Sequence, residues 1–286
     1  VVFAIIGIVP YWILSRVVRE HAEHIPEQSK GIIESMKIAF KNKSFIIYVI
    51  YDGVSVLILN MMIVTLPFYL TWYLQPLQGF DLLLFFIGPF ICLLVGVILS
   101  LKISEKISTK AALSFYLGVM TIGFFITFFV SFTFNWLLVS FGFSIIFLAF
   151  PGDFIHHNPM RSDTIDADEL WVSGERREGL YAGIGPLLSK PMISVALAVP
   201  PAIMTAFGLY YVESADKLVA TGGMEMAALA LNISMCLIPA IVCLIGFIIW
   251  VLFYPLTGDI VEDMKAELAE IHEKKLKKYE AKQPAP

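Results

Sequence analysis

The amino-acid sequence predicts an all-α integral membrane protein, a bundle of six complete helices. Three observations support this fold class. Hydrophobic residues make up 58% of the chain and charged residues 15%, whereas soluble domains carry about 25% charged residues. The mean hydropathy is +0.79. The apolar residues also form continuous runs of roughly 20 or more, the length that a helix needs to cross a bilayer, and not the alternating segments typical of a membrane barrel.

Six of these runs are predicted as transmembrane helices, because a helix satisfies its own backbone hydrogen bonds in lipid. The predicted spans are Phe45 to Trp72, Leu82 to Leu101, Ala111 to Val130, Phe134 to Phe154, Leu180 to Phe207 and Met224 to Tyr254. A first apolar run, residues 1–14, is shorter and ends where a polar stretch begins at Ser15. We interpret it as the end of a truncated transmembrane helix.

The basic residues predict the orientation of these helices. Of the 20 Lys and Arg residues, 18 fall in alternate connections and in the C-terminal tail, and an excess of basic residues marks the cytoplasmic loops of a membrane protein. Lys217 lies in an opposite connection, and Lys190 lies within a span. The sequence therefore predicts a multi-pass protein of the plasma or inner membrane with its C-terminus in the cytoplasm.

The chain divides into four predicted segments. They are a truncated helix end (1–14), a central cytoplasmic loop (15–44), a six-helix unit (45–254) and a cytoplasmic tail (255–286). From Gly31 to Ser44, apolar residues recur at helical spacing beside lysines. This pattern predicts an amphipathic helix on the inner membrane surface, with a solvated linker as the alternative. A stripe in the tail predicts a solvated helix that frays toward Pro286, its apolar members being Ile260, Met264, Leu268 and Ile271.

Charge and cysteine usage exclude several other classes of protein. The formal net charge is -4, so the chain lacks the basic surface that nucleic-acid binding requires. The three cysteines all fall inside apolar runs, where a disulfide framework or a thiolate metal site is hard to assemble. We expect neither a nucleic-acid partner nor a metal site.

Two of the charged residues within predicted spans are selected as functional candidates, because burying a charge in lipid is costly. Lys190 lies well inside its span, and Asp52 lies about two turns from the cytoplasmic end of its own. Tyr48, Asp52 and Ser55 share one helical face, which predicts a polar stripe toward the bundle interior. A structural ion pair, or an Asp52 side chain that reaches the membrane surface, is the alternative interpretation.

The densest polar cluster runs from Ser162 to Gly179, with the sequence SDTIDADELWVSGERREG. Carboxylates followed closely by two guanidinium groups can form charge-assisted hydrogen bonds that are made in one state and broken in another. We predict a cytoplasmic gate at this cluster, with a merely solvated loop as the alternative. Its predicted members are Asp163, Asp166, Asp168, Gly174, Arg176, Arg177 and Gly179.

The same cluster carries a family resemblance. An Asp-x-x-Asp at Asp163 and Asp166, a Gly-x-Arg-Arg-x-Gly from Gly174 to Gly179 and an embedded lysine at Lys190 follow in this order. As a set they resemble the loop between helices ten and eleven of the glycoside-pentoside-hexuronide:cation symporters. This branch of the major facilitator superfamily includes melibiose permease. The whole chain resembles helices six to twelve, the C-terminal half of such a transporter, and its six spans suit one half built of two inverted three-helix repeats.

The resemblance implies symport of a sugar or glycoside with Na⁺ or H⁺ by alternating access, without a bound cofactor. It places Lys190 near the substrate pocket and Phe154 near an aromatic position of that pocket; Asp52 and Tyr48 complete the predicted substrate site. The cation-coordinating carboxylates of the family lie in its N-terminal half, so the coupling site is expected outside this chain. The implied partners are the solute, the lipid bilayer and that N-terminal half.

Two rival functions remain open at this stage. Asp163, Asp166 and Asp168, with His156 and His157, could hold Mg²⁺ and a diphosphate, as in intramembrane prenyl transferases. Such enzymes need two aspartate-rich motifs, and only one is visible. A channel or a non-transporting membrane scaffold is the second rival, although the sequence shows no filter or pore-lining ring. We therefore predict a transporter and not an enzyme.

Overall fold

A computed structural model describes residues 32–73, 79–212, 217–220 and 223–280, together with several positions between 8 and 17. The helices are α1 (Ile32–Ala39), α2 (Lys43–Phe68), α3 (Phe80–Ser104), α4 (Thr109–Ser131), α5 (Trp136–Asp168), α6 (Glu178–Ala206), α7 (Gly223–Asn232), α8 (Ile238–Phe253) and α9 (Gly258–Glu280). Two strands, β1 (Leu209–Val212) and β2 (Lys217–Ala220), lie between α6 and α7.

Three π-helical turns extend or join these helices. Tyr69–Tyr73 continues α2, Glu169–Ser173 continues α5, and Ile233–Leu237 joins α7 to α8. With these extensions, six helices in the described part of the chain are long and apolar enough to cross a membrane. They coincide with the six predicted spans, so the all-α membrane fold is confirmed.

The fourth span differs from its prediction. It was predicted to end at Phe154, but the helix continues to Ser173 and contains 38 residues. At 1.5 Å per residue it is about 57 Å long, well beyond the roughly 30 Å of a hydrocarbon core. Hydropathy falls after Phe154 because polar residues begin there, but the helical backbone does not depend on apolar side chains. The segment predicted as a loop from Asp163 is therefore helical up to Ser173.

Small residues allow α4 and α5 to pack closely. A Cβ added to Gly123 of α4 would lie 3.0 Å from the backbone nitrogen of Ile146, and one added to Gly142 of α5 would lie 3.0 Å from Thr127 Cα. Small residues at helix interfaces are the usual means of close packing in a membrane, because apolar side chains gain little by moving from lipid into a contact between helices. Helix α5 packs extensively against α3 as well as α4, and it also contacts α2.

The connection between α6 and α7 forms an antiparallel β-hairpin that the sequence pattern did not predict. Leu209 pairs with Ala220, and Val212 pairs with Lys217. The hairpin lies between two spans and leaves the helical class of the bundle unchanged.

The segments outside the bundle are partly described. Helix α1 forms within the predicted amphipathic segment, although its placement on a membrane surface stays a prediction. The predicted truncated helix end, residues 1–14, lies mostly outside the described residues, as do residues 281–286 at the end of the tail. In α9, Met264 and Leu268 are buried, so the predicted apolar stripe docks onto the bundle and the tail is not merely solvated.

Candidate functional site

The first polar group of the site joins α2 to α5 inside the bundle. The Tyr48 hydroxyl lies 2.8 Å from Nε2 of His157. The same nitrogen lies 3.4 Å from Oδ1 of Asp52. The side chains of His157 and Asp52 are 29% and 13% exposed, so this group opens partly onto the surface of the bundle.

A second polar group lies beside it and is more deeply buried. Ser55 Oγ donates a 3.0 Å hydrogen bond to Oδ1 of Asp153, and the Tyr51 hydroxyl donates to the same oxygen. Asp153 is 7% exposed and Tyr51 is 1% exposed. The two groups together are called the intramembrane cluster below. Its members are Tyr48, Tyr51, Asp52, Ser55, Asp153 and His157.

Helical periodicity explains how the sequence builds this cluster. Tyr48, Asp52 and Ser55 recur at intervals of four and three residues, and Tyr51 lies on the adjoining edge of the same face. Asp153 and His157 are separated by four residues on α5. Residues at these spacings lie above one another on one side of a helix. The polar stripe predicted on α2 therefore faces the interior, where it meets a matching stripe on α5.

Asp153 was not among the predicted site residues. It lies one residue before the predicted end of its span, so the rule that a charge within a span is a functional candidate was sufficient to select it. The two histidines were predicted in a cytoplasmic segment beyond the span, whereas they lie within the continuous helix α5; their position relative to the membrane stays a prediction. His156 is buried in α5, with its ring nitrogens 2.7 Å from Ser104 Oγ and 2.7 Å from the Gly152 carbonyl oxygen.

The other two predicted substrate residues lie on exposed faces of the bundle. Lys190 is an exposed residue of α6, and it forms no hydrogen bond or ion pair with any residue that the structure describes. The Phe154 ring is 52% exposed and packs against Phe150, with ring centroids 5.0 Å apart. The structure does not bring either residue into contact with the intramembrane cluster.

Lys190 nevertheless lies at the depth of Asp52. Helices α2 and α6 run side by side in the same direction, since the rings of Phe45 and Tyr181 are 4.6 Å apart and Gly53 faces Met192 further along. Asp52 follows Phe45 by seven residues, about 10 Å, and Lys190 follows Tyr181 by nine, about 13 Å. The two charged residues thus differ in depth by only about 3 Å.

The predicted gate residues form ion pairs at the far end of α5. Arg176 Nη1 lies 2.6 Å from Oδ1 of Asp166, and its Nε lies 2.7 Å from Oε1 of Glu178. Partial burial works against the charge of Arg176, but the hydrogen bond to Glu178 and the carboxylate of Asp166 outweigh it and raise its pKa. Arg177 pairs with Glu175 at 2.9 Å, so Arg176 is the guanidinium partner of Asp166.

The C-terminal helix α9 supplies the remaining cations, which the sequence argument did not foresee. Lys265 Nζ lies 2.7 Å from Oδ1 of Asp163. Lys275 Nζ and His272 Nε2 lie 2.8 and 2.9 Å from Oε1 of Glu169, whose side chain is 2% exposed. The tail and the acidic cluster therefore lie at the same end of the bundle. These ion pairs are called the terminal ion-pair network below. Its members are Asp163, Asp166, Glu169, Arg176, Glu178, Lys265, His272 and Lys275.

The remaining predicted gate residues have distinct local roles. Ser173 Oγ donates a 2.8 Å hydrogen bond to Oδ2 of Asp168. Gly174 follows with φ 73°, the left-handed conformation that favours glycine at the end of a helix. Gly179 is the second residue of α6, and a Cβ added there would meet nothing within 4 Å. The structure thus requires glycine at position 174 and not at position 179.

The acidic cluster does not form the metal-binding arrangement required by the enzymatic rival. Within the described ranges, no group of three or more His, Cys, Asp or Glu side chains could hold a metal ion. Asp163 and Asp166 are engaged by Lys265 and Arg176, and Asp168 accepts from Ser173. Cations of the chain itself neutralise Asp163 and Asp166, which favours a role in conformational contacts.

Comparison with known proteins gives the family. A family model described as MFS/sugar transport protein matches residues 1–258, which include all six spans, the intramembrane cluster and the arginine pair. No curated protein sequence matches the chain. The six membrane-spanning helices and this match agree with the superfamily to which the sequence resemblance pointed. The chain belongs to the MFS/sugar transport protein family.

Proposed function

We propose that this chain is the C-terminal half of a secondary transporter that moves a sugar or glycoside together with Na⁺ or H⁺ by alternating access. Six spans make one half of a transporter that is built from two six-helix halves. The observation that carries the proposal is the pair of charged residues Lys190 and Asp52, which lie at one depth of the bundle, with Lys190 on an exposed face. Toward lipid, an unpartnered ammonium would be costly, whereas a water-filled cavity between two halves accommodates it.

In this proposal the central cavity is lined by Lys190, Phe154, Asp52 and Tyr48. The exposed Phe154 ring supplies an apolar face for a sugar ring, and Lys190 supplies three hydrogen-bond donors. The carboxylate of Asp52 and the hydroxyl of Tyr48 are already oriented by His157. Sugar sites commonly combine a small number of fixed polar groups with aromatic walls.

The terminal ion-pair network acts as the cytoplasmic gate in this proposal. Arg176 links the end of α5 to the start of α6 through Asp166 and Glu178, so a relative movement of these helices must break or exchange its contacts. The pairs join buried carboxylates to cations that are partly exposed, and contacts with water-exposed cations can be exchanged, which keeps both states of the transporter accessible. The distribution of basic residues supports a cytoplasmic position for this end of the bundle and for the C-terminal tail.

Uptake by the full-length protein tests the assignment. We expect cells that express it to accumulate at least one solute from a panel of radiolabelled hexoses, pentoses, disaccharides and glycosides. Replacing Lys190 by Ala should lower the initial rate about tenfold or more, because a charge-assisted hydrogen bond contributes roughly 1.5 to 3 kcal/mol. Lys106→Ala is the matched control, since Lys106 is an exposed lysine between α3 and α4.

Membrane expression of both variants is measured alongside uptake. Full activity of Lys190→Ala at normal expression would contradict the placement of Lys190 in the cavity. Failure of the unmodified protein to accumulate any member of the panel would contradict a sugar as the substrate.

A further inference from the structure

Asp153 differs from Asp52, the other acidic side chain of the intramembrane cluster, in how it is satisfied. It is 7% exposed and lies in the middle of the α5 helix. Asp52 has His157 as an ionic partner, but in the described part of the chain no Lys, Arg or His side chain forms an ion pair with Asp153. Its hydrogen-bond partners are two hydroxyl groups, those of Tyr51 and Ser55.

Two hydroxyl donors do not stabilise a carboxylate as a cation does. An ionised carboxylate without a counterion in a dry interior is penalised by several kcal/mol, and a neutral hydrogen bond offsets only part of this penalty. Aromatic rings pack around the hydroxyl partners of Asp153, since Trp250 of α8 lies against Tyr51 with ring centroids 5.3 Å apart. A bound proton removes the penalty, and the two hydroxyls can rotate to accept as well as donate.

We propose that Asp153 is a proton-binding site of the transport cycle, so that the coupling ion is H⁺ and at least one coupling site lies within this chain, between α2 and α5. This inference rests on the proposed symport function and specifies its coupling ion. It departs from the expectation that the coupling carboxylates lie outside this chain.

Several titratable groups surround Asp153 and influence the binding and release of its proton. On α2 they are Tyr48, Tyr51 and Asp52, on α5 His156 and His157, on α4 Tyr116 and on α8 Cys243. Within this set the side chain of His157 is 29% exposed and that of Asp52 is 13% exposed. His157 lies one turn from Asp153 along α5, in the direction of the terminal ion-pair network.

His157 contacts Tyr48 and Asp52 and forms the partly exposed side of the cluster, from which a proton can reach the interior. Uptake of one proton converts the Asp153 carboxylate to the carboxylic acid. Release of that proton to water restores the carboxylate.

The geometry favours a proton over a sodium ion. A sodium ion needs several oxygen ligands, and backbone carbonyl oxygens that are freed where a helix unwinds are a common source, but α2 and α5 are both continuous helices at Ser55 and Asp153. Both hydroxyl groups donate to Oδ1 of Asp153, so a metal ion at that oxygen would have to displace their hydrogens, whereas a proton would not.

Infrared difference spectroscopy tests the proposal without knowledge of the solute. The full-length protein in lipid vesicles is compared between acidic and alkaline buffer, in Na⁺-free and Na⁺-containing solutions. We expect a carboxylic-acid C=O band that appears at the acidic side and is lost in Asp153→Asn. Ser55→Ala should shift the band without abolishing it, because one hydrogen bond is removed. Asp81→Asn is the matched control, since Asp81 is an exposed aspartate at the start of α3.

Each outcome decides the proposal. A band that survives in Asp153→Asn, or that is lost instead in Asp52→Asn, would overturn the assignment to Asp153. A band that Na⁺ displaces at constant pH would make the site a sodium site and would also overturn it.

A transport measurement then separates this inference from the proposed function. In proteoliposomes that take up a sugar of the panel, Asp153→Asn should retain exchange of labelled for unlabelled sugar and lose accumulation driven by a pH gradient. Sugar accumulation driven by Na⁺, with no response to a pH gradient, would refute the proton site and leave the symport proposal intact. A pH-dependent Asp153 band in a protein that moves no sugar would support the proton site and contradict the symport proposal.

Discussion

Helix α5 carries two polar regions about 20 Å apart, and they satisfy their charges in opposite ways. The intramembrane cluster places Asp153 among hydroxyl and aromatic groups with no cation paired to it in the described structure. The terminal ion-pair network surrounds Asp166 and Glu169 with a guanidinium, ammonium groups and an imidazole. The supply of cations explains the contrast, because Asp153 and Asp166 are equally buried, at 7% exposed each. Lysine side chains of α9 that reach water can pair with buried carboxylates at the helix end, whereas an interior without such side chains favours neutral groups and makes each titration consequential.

The largest effect is expected from removing the buried acceptor of the intramembrane cluster. Asp153→Leu leaves the Tyr51 hydroxyl and Ser55 Oγ without their acceptor, and each unsatisfied buried group costs about 1 to 3 kcal/mol. We expect a clearly lower thermal unfolding temperature in detergent, measured by the loss of monodisperse protein after heating. Asp153→Asn should be much milder, because the amide is neutral and keeps a hydrogen-bonding oxygen. Equal stability of the Leu variant and the unmodified protein would contradict the contacts described for Asp153.

The terminal ion-pair network should respond to charge reversal in a partner-specific way. Asp166→Arg places two guanidinium groups together and should stall uptake by the full-length protein. Adding Arg176→Asp should partly restore the rate, since residues in direct contact have interaction energies of about 0.5 to 3 kcal/mol. Adding Arg177→Asp should not restore it, because Arg177 pairs with Glu175. Equal rescue by both second changes would show that overall charge and not the observed pairing matters.

The smallest effect is expected from weakening the contact between helix α9 and the end of α5. Lys275→Glu breaks the contact to the buried Glu169 carboxylate and should release α9 at a loss of about 1 kcal/mol. Faster hydrogen exchange across residues 258–280 would report this release. The neighbouring Lys274→Glu is the control, since Lys274 is 77% exposed and approaches only Glu270, at 3.8 Å, among the described residues. Identical exchange in the two variants would argue against docking through Glu169.

Much of the membrane architecture followed from the sequence alone. The lengths of the apolar runs determined six spans, since a helix must satisfy its backbone within a fixed thickness of lipid. The order of aspartates, glycine, arginines and lysine led to the superfamily. The spacing of Tyr48, Asp52 and Ser55 predicted a polar face on α2, because that face depends only on the helical repeat.

Tertiary structure decided which residues meet. Hydropathy predicted that the fourth span ends at Phe154. For this reason neither the length of α5 nor the position of His157 opposite Asp52 was predicted. The choice of Arg176 over Arg177 as the partner of Asp166 depends on the turn at Gly174, and the pairing of Lys265 and Lys275 with α5 depends on where α9 docks. Periodicity determines the faces of a single helix, but the contacts between helices are determined by packing at residues such as Gly123 and Gly142, whose close approach is a property of two segments together.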